Sequence, residues 1–410
     1  MKILQINSVC GIGSTGRIVL DIHKTLLNSG HESYIAYGRP PAKNCPEAIQ
    51  IGSKFDVYSH VALTRIFDLH GFGSKRATIK FLKELERINP DIIHLHNIHG
   101  YYINIKLLFD YLKEKNKQVV WTLHDCWAFT GHCSYFDYIG CEKWKTGCFN
   151  CPQKNRYPKS YILDNSKKNY EMKKMIFTGL KKMVIVTPSQ WLANLVKQSF
   201  LKEYPIEVIP NGIDTNVFKP TQGNFRKKYN LEGKFVILGV ANIWEERKGL
   251  KYFIELSKTL DKDEVIVLVG LNKKQLKEMP YNIIGIERTN SVEELVEIYS
   301  GADVFVNPTL EDNFPTVNLE ALSCGTPVIT FNTGGSVETI DENTGFIVEK
   351  GNVNDFYEKI KIVKFSGKEK YSQYCRSRVV EFFNKESNFG KYLNLYHDLF
   401  ERNNLKKERQ

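Results

Sequence analysis

The chain has 410 residues, 42% of them hydrophobic and 25% charged, with a formal net charge of +11 and nine cysteines. That length holds two domains with separate cores, and that composition excludes wholesale disorder. No apolar run approaches the roughly 20 residues a bilayer crossing needs, so a membrane-spanning class is excluded; the positive charge suits anionic partners such as nucleotide phosphates, an acidic membrane surface or nucleic acid, and does not choose among them.

The opening MKILQINSVCGIGSTGR lacks the apolar core and cleavage site of a secretory leader, which predicts a cytoplasmic protein with reduced thiols. A strand over 2–7 runs into Gly11, Gly13 and Gly16, a literal GxGxxG, and then into a helix that begins near Arg17 and is closed by Gly30. Small residues there let backbone amides approach a phosphate at a helix N-terminus, so Gly13 and Gly16 are candidate donor-binding positions. A nicotinamide site would place an acid after the second strand, over 33–37; the sequence there reads SYIAYGRPP, and only Arg39 could meet a 2′-phosphate. An NADP-dependent oxidoreductase therefore stands as an alternative.

Further strands are predicted over 92–96, 119–123 and 184–187. His94, His96 and His99 invite a metal reading because alternate strand residues share a face, and His124 closes the next strand. Cys133, Cys141, Cys148 and Cys151 form a CX7CX6CX2C set within the segment 126–160. Two readings stand for it: a structural zinc, or unligated thiols packing a loop. Between Lys154 and Lys182 nine basic residues face two acids, and Met172, Ile176, Leu180 and Met183 fall at helical spacing. This predicts a helix with an apolar and a basic face, either a solvated surface helix or a peripheral membrane contact.

A second series of strands follows, over 235–240, 265–269, 304–306, 328–331 and 346–348, after the turn-rich VIPNGIDTNVFKP. Two parallel sheets of βαβ units are expected, with a cleft between them. The segment NPTLEDNFPTVNLEALSCGTPVI places Asp312 in a loop and Glu320 on the helix that begins near Pro315. Two such acceptors can bind different hydroxyls of one ligand while amides at the helix start face a phosphate. In GVANIWEERKGLKYFIEL, Lys248 and its neighbour Arg247 follow a strand. Phe382, Phe383, Phe389, Tyr392, Tyr396 and Phe400 are packing positions of terminal helices, ahead of a tail expected to fray from Asn403.

The 307–329 segment resembles the EX7E carboxylate pair, with its trailing EAxxCGxPV, of retaining family-four glycosyltransferases of GT-B fold. The stretches PDIIHLHNIHG, TLHD, TPSQW, IPNGID, IYSGADVFVNP and NTGGSVETI are similar to the same family in order and spacing. The resemblance implies that Asp312 meets the donor sugar and Glu320 the ribose. Asn313, Phe314, Pro315, Thr316 and Val317 then line the gap, with their backbone at the pyrophosphate. It also implies that Lys248, with Arg247 beside it, neutralises the leaving phosphates, and that His124 approaches the sugar. Two departures stand out: Asp312 replaces the usual Glu, and Asn242 occupies the place of an Arg.

The implied molecule is α/β. An acceptor-side Rossmann-like domain spans 1–205 with a Cys-rich insertion over 126–160, a nucleotide-sugar-binding Rossmann-like domain spans 206–380, and a terminal helix over 381–410 packs back on the first. The implied activity is sugar transfer from a nucleotide-diphosphate donor to a glycan or lipid-linked glycan in surface polysaccharide assembly. It needs no catalytic cofactor and no nucleic acid, and the enzyme works at the inner face of the membrane. A catalytically silent scaffold of the same fold is the second alternative.

Overall fold

The computed structural model describes residues 1–408. They divide into two compact units, one formed by 1–210 with 389–410 and the other by 211–388.

The first unit is built on a seven-stranded sheet: β1 (Lys2–Asn7), β2 (Glu32–Tyr37), β3 (Ile49–Gln50), β4 (Ile92–Leu95), β5 (Gln118–Thr122), β6 (Met183–Thr187) and β7 (Ile206–Val208). All pairings are parallel, in the order β3-β2-β1-β4-β5-β6-β7. The central strands read as unbroken apolar runs because helices cover both faces. One face meets Phe81, Leu85, Leu108, Phe109 and Phe177. The other meets Ile18, Ile22 and Leu26 together with Phe389, Tyr392, Tyr396 and Leu399 of the long terminal helix Lys385–Glu408. The unit runs to Pro210, past the boundary at 205 read from sequence, because β7 pairs with β6.

The second unit repeats the plan with β8 (Phe235–Val240), β9 (Glu264–Val269), β10 (Ile283–Ile286), β11 (Val304–Asn307), β12 (Val328–Phe331) and β13 (Gly345–Val348). The order is β10-β9-β8-β11-β12-β13, again parallel.

Several sequence expectations are corrected. The helix expected through Met183 spans only Ser166–Phe177, since Gly179 adopts φ +82° and Met183 opens β6. Its basic face is incomplete, because Lys173 points inward. There the ammonium donates to the carbonyls of Trp127 (2.7 Å) and Thr130 (3.1 Å) and lies 3.4 Å from the centre of the Trp127 ring. Phe382, expected to pack, is half exposed, whereas Phe383, Phe389, Tyr392 and Tyr396 are buried. The helix backbone continues to Glu408, where fraying from Asn403 was expected; residues 409–410 lie outside the described ones.

Candidate functional site

In an open parallel sheet, ligands bind beyond the carboxyl ends of the strands where the winding reverses. In the second unit that point lies between β8 and β11. Beyond β8 the chain forms a short turn over Glu246–Lys248 and reverses at Gly249 with φ +77°. A Cβ on Gly249 would sit 2.1 Å from the Pro308 carbonyl oxygen, so only glycine lets this turn lie against the loop after β11. The Leu310 amide donates to the Arg247 carbonyl at 2.7 Å and locks the two loops together.

This docking brings Lys248 Nζ to 2.5 Å from Asp312 Oδ2, with both side chains largely buried. Arg247 lies alongside, its guanidinium donating to the Glu311 carbonyl at 3.4 Å and pairing with Glu245 at 3.3 Å. Burial pushes the Asp312 carboxyl up, but Lys248 and Arg247 outweigh that and hold it below the usual carboxylate range. Behind Asp312, Gly334 adopts φ +53°, and a Cβ there would come 1.9 Å from the Asp312 carbonyl oxygen. The Gly335 amide donates to that oxygen at 3.2 Å.

The loop leads into the helix Thr316–Ser323, with Pro315 at the N-cap and no side chain capping the helix. Asn318 anchors this helix from beneath. It accepts from Asn307 Nδ2 at 2.8 Å and donates to Thr339 Oγ1 at 2.9 Å and Ser336 Oγ at 3.3 Å, all out of contact with water. Glu320 is buried rather than an exposed helical carboxylate, and accepts from the Tyr299 hydroxyl at 2.9 Å. Asn313 is buried, Thr316 and Val317 are half-buried at the helix start, and the Phe314 side chain packs edge-on against Phe383. Only the backbone of Phe314 is therefore placed to line the gap. Asn242 stands exposed just after β8.

In the first unit the winding reverses between β1 and β4. Gly11, Gly13 and Gly16 follow β1, and Gly11 and Gly13 take positive φ. Gly11 donates to the Gly16 carbonyl at 3.0 Å, and a Cβ on Gly11 would strike the Lys43 carbonyl oxygen. The helix Gly13–Asn28 starts without a capping side chain or an acidic residue in its first turn.

A chain of hydrogen bonds fixes the protons on the histidines. Gln5 Nε2 donates to the Val19 carbonyl at 3.1 Å, so its amide oxygen accepts from His96 Nε2 at 3.2 Å. His96 Nδ1 must then accept from His124 Nε2 at 3.1 Å, which leaves His124 unprotonated at Nδ1. The two rings stack at 5.4 Å, and burial lowers the His124 pKa to about 4. His99 Nε2 pairs with Asp125 at 3.0 Å and its Nδ1 meets the Tyr157 hydroxyl at 3.1 Å. His96, Asn97, His99, His124, Asp125 and Trp127 line a small pocket. His94 faces the other way, with Tyr396 and Thr122 on its two nitrogens at 2.6 and 2.8 Å. Both ring nitrogens of His94 and of His96 are engaged in these hydrogen bonds.

The insertion cysteines are free thiols, with Cys133 hydrogen-bonded to Cys151 and Cys148 accepting from the Gly131 amide at 3.2 Å. They pack on the first unit's core beside Phe136 and Trp144. Among the described residues, no three of these sulfurs lie mutually within 4.8 Å.

Comparison with known proteins identifies the family. A family model described as Glycosyltransferase Family 4 matches residues 15–217, and one described as Glycosyl transferases group 1 matches residues 234–363. The chain belongs to the family-four glycosyltransferases. This glycosyltransferase is 28% identical to a protein named as a colanic acid biosynthesis glycosyl transferase, WcaC, of Escherichia coli strain K12, over 86% of this chain and 88% of the relative. It is also 28% identical to the UDP-Gal:alpha-D-GlcNAc-diphosphoundecaprenol alpha-1,3-galactosyltransferase of Escherichia coli, over 50% of this chain and 57% of the relative. Its GT-B fold is that of Anabaena HepE, solved in complex with UDP. The TM-score is 0.70 at 14% identity, covering 97% of this chain and 100% of HepE. Arg39, the residue on which the NADP alternative rested, donates to the Gly100 carbonyl at 3.0 Å and lies over the Tyr101 ring. Tyr299, Gly249 and Gly334 were missed as site residues, although each sits in or beside a stretch that carries the family resemblance.

Proposed function

We propose that this glycosyltransferase transfers a sugar from a nucleoside-diphosphate donor to a glycan or lipid-linked glycan, with retention of anomeric configuration, in surface polysaccharide assembly. The observation that carries this reading is the Lys248–Asp312 pair, held by a glycine turn at the switch point of the second sheet. Departure of a diphosphate builds negative charge, which a cation pre-set in a partly dry loop stabilises more than water does. Lys248, with Arg247 beside it, takes that charge. Asp312 meets the donor sugar, and the uncapped helix start at Thr316 and Val317 offers amides to a phosphate. Glu320 accepts from the ribose hydroxyls. With no donor bound, Lys248 and Asp312 satisfy each other, so the donor enters by sharing that contact between phosphate and sugar. His124, neutral at physiological pH, is assigned a single hydrogen bond to substrate, and Gly13 and Gly16 keep a close-approach role. The UDP in the HepE complex and the lipid-diphosphate acceptor in the galactosyltransferase's name support the donor and acceptor classes.

Incubation with a panel of nucleotide sugars, reading released nucleoside diphosphate, tests the reading. Release with at least one donor is expected, reduced about 100-fold or more in Lys248→Ala and at least tenfold in Glu320→Gln. Full turnover in both folded variants would remove the site, and no release with any donor would favour the silent scaffold.

Acceptors carried on lipid require a membrane approach. The helix Lys54–Phe67 exposes Phe55, Tyr58, Ile66 and Phe67, and its end is tied to an exposed Tyr161, Ile162 and Leu163. Arg156, Lys159, Lys167 and Lys168 are exposed in the same segment, and apolar side chains interleaved with cations are what an anionic bilayer surface attracts. The full chain should float with vesicles containing phosphatidylglycerol and stay behind with neutral ones. Equal behaviour with both rules this contact out. No helix among the described residues is long and apolar enough to cross a membrane.

A further inference from the structure

The first unit carries a ligand cluster that the sugar-transfer site does not use. His23 stands midway along the helix Gly13–Asn28, and Cys45 and Glu47 lie on the segment between β2 and β3. One ligand atom from each lies within 4.8 Å of the other two, and among the described residues this is the one such group. His23 Nε2 and Cys45 Sγ are each 3.4 Å from Glu47 Oε1. The thiol of Cys10, at the start of the glycine-rich loop, is hydrogen-bonded to Cys45 but stands outside the group that is mutually within 4.8 Å. Cys10, His23 and Cys45 are buried, while Glu47 stays exposed at the rim. The cluster is thus a lined recess with one open side.

From these contacts we propose that His23, Cys45 and Glu47 form a structural zinc-class metal site, with the neighbouring Cys10 thiol drawn in through Cys45 as the fourth ligand. The donor set supports the metal class. Two thiols, an imidazole and a carboxylate are ligands of a borderline divalent cation, whereas calcium or magnesium would call for oxygens alone. The spacing supports it as well. Metal–ligand bonds of about 2.0 to 2.3 Å set tetrahedral ligand atoms roughly 3.3 to 3.8 Å apart, and the two contacts to Glu47 already fall there. An outer contact is also in place. Ser33 Oγ holds His23 Nδ1 at 2.8 Å, which turns Nε2 toward the cluster and fixes the ring, as a hydrogen bond behind a metal-bound imidazole does. On binding, sulfur–metal bonds form at Cys10 and Cys45 and each thiol gives its proton to solvent. The ion then pins the glycine-rich loop to the segment after β2, which the Lys43 amide already touches through the Cys10 carbonyl at 3.1 Å.

The test uses the full chain, purified anaerobically, stripped with a chelator and titrated with zinc and, separately, with cobalt. About one zinc bound per chain is expected, with a near-ultraviolet thiolate-to-cobalt band. Both should be lost in Cys45→Ser and His23→Gln variants that keep the wild-type circular dichroism. The Ser33→Ala variant retains every ligand and should bind zinc about tenfold more weakly. A Cys133→Ser, Cys148→Ser double variant should bind as the wild type does. Absence of stoichiometric zinc and of the cobalt band overturns the proposal. So does a band that survives Cys45→Ser and His23→Gln but disappears in the double variant, which would move the ion to the insertion. None of these readouts depends on sugar transfer, so this proposal and the catalytic one fail separately.

Discussion

Lys248 and Asp312 are 64 positions apart in the chain and meet because one backbone position, Gly249, has no side chain. At φ +77°, with the Pro308 carbonyl where a Cβ would lie, alanine there carries both conformational strain and a backbone clash. Gly249→Ala should therefore lower thermal stability by about 2 kcal/mol or more and swing Lys248 away from Asp312. Sugar-transfer activity should fall more than the unfolded fraction explains. A variant with normal melting temperature and normal kcat/KM would show that the turn tolerates displacement. Lys248, Asp312 and Glu320 can be singled out as candidates from the sequence because their spacing follows a family pattern. The burial of Glu320 against Tyr299 is not legible there, because the two meet only when the helix Val292–Gly301 is laid beside Thr316–Ser323.

Among elements, the helix Thr316–Ser323 depends on what lies beneath it more than on its own eight residues, which are too few to be stable alone. Asn318 ties it to Asn307, Ser336 and Thr339, so Asn318→Ala leaves buried polar atoms without partners. The expected cost is about 2–3 kcal/mol, seen as a lower denaturation midpoint, with weakened donor binding because the helix start is no longer fixed. Unchanged stability would mean that water replaces the asparagine. The long central strands could be read directly, since strands buried on both faces are continuous apolar runs. β3 and β7 are not legible because they span only two and three residues at sheet edges, and β10, also an edge strand, is interrupted by Gly285. The Ser166–Phe177 helix was overextended for a related reason: apolar spacing continues across Gly179 into β6, and period alone does not separate a helix end from a strand start.

At the scale of the whole molecule, buried histidines govern the response to acid. Burial lowers the pKa of His60 and of His124 to about 4, and takes those of His70, His94 and His96 well below the ordinary 6.5. The unfolded chain binds protons at these positions below about pH 6.5 and the folded chain does not. Stability contributed by the neutral rings is thus complete above that pH and is lost as pH falls from about 6.5 toward 4. Each such ring steepens the loss by up to about 1.4 kcal/mol per pH unit. The melting temperature should be level between pH 7 and 8 and fall steeply between pH 6 and 4.5. A melting temperature that stays level down to pH 5 would show that these rings are not held neutral.

The return of residues 389–399 to the first sheet has a consequence for biogenesis. Tyr392 and Tyr396 supply the hydroxyls that Thr122 and His94 bond, and their rings cover Ile3, Val120 and Val186. A nascent chain emerges from the ribosome amino end first, so that apolar face stays bare while the entire intervening unit is synthesised. The first portion made is therefore among the last to be completed, and during translation it presents a sticky surface that a holdase chaperone would be suited to shield.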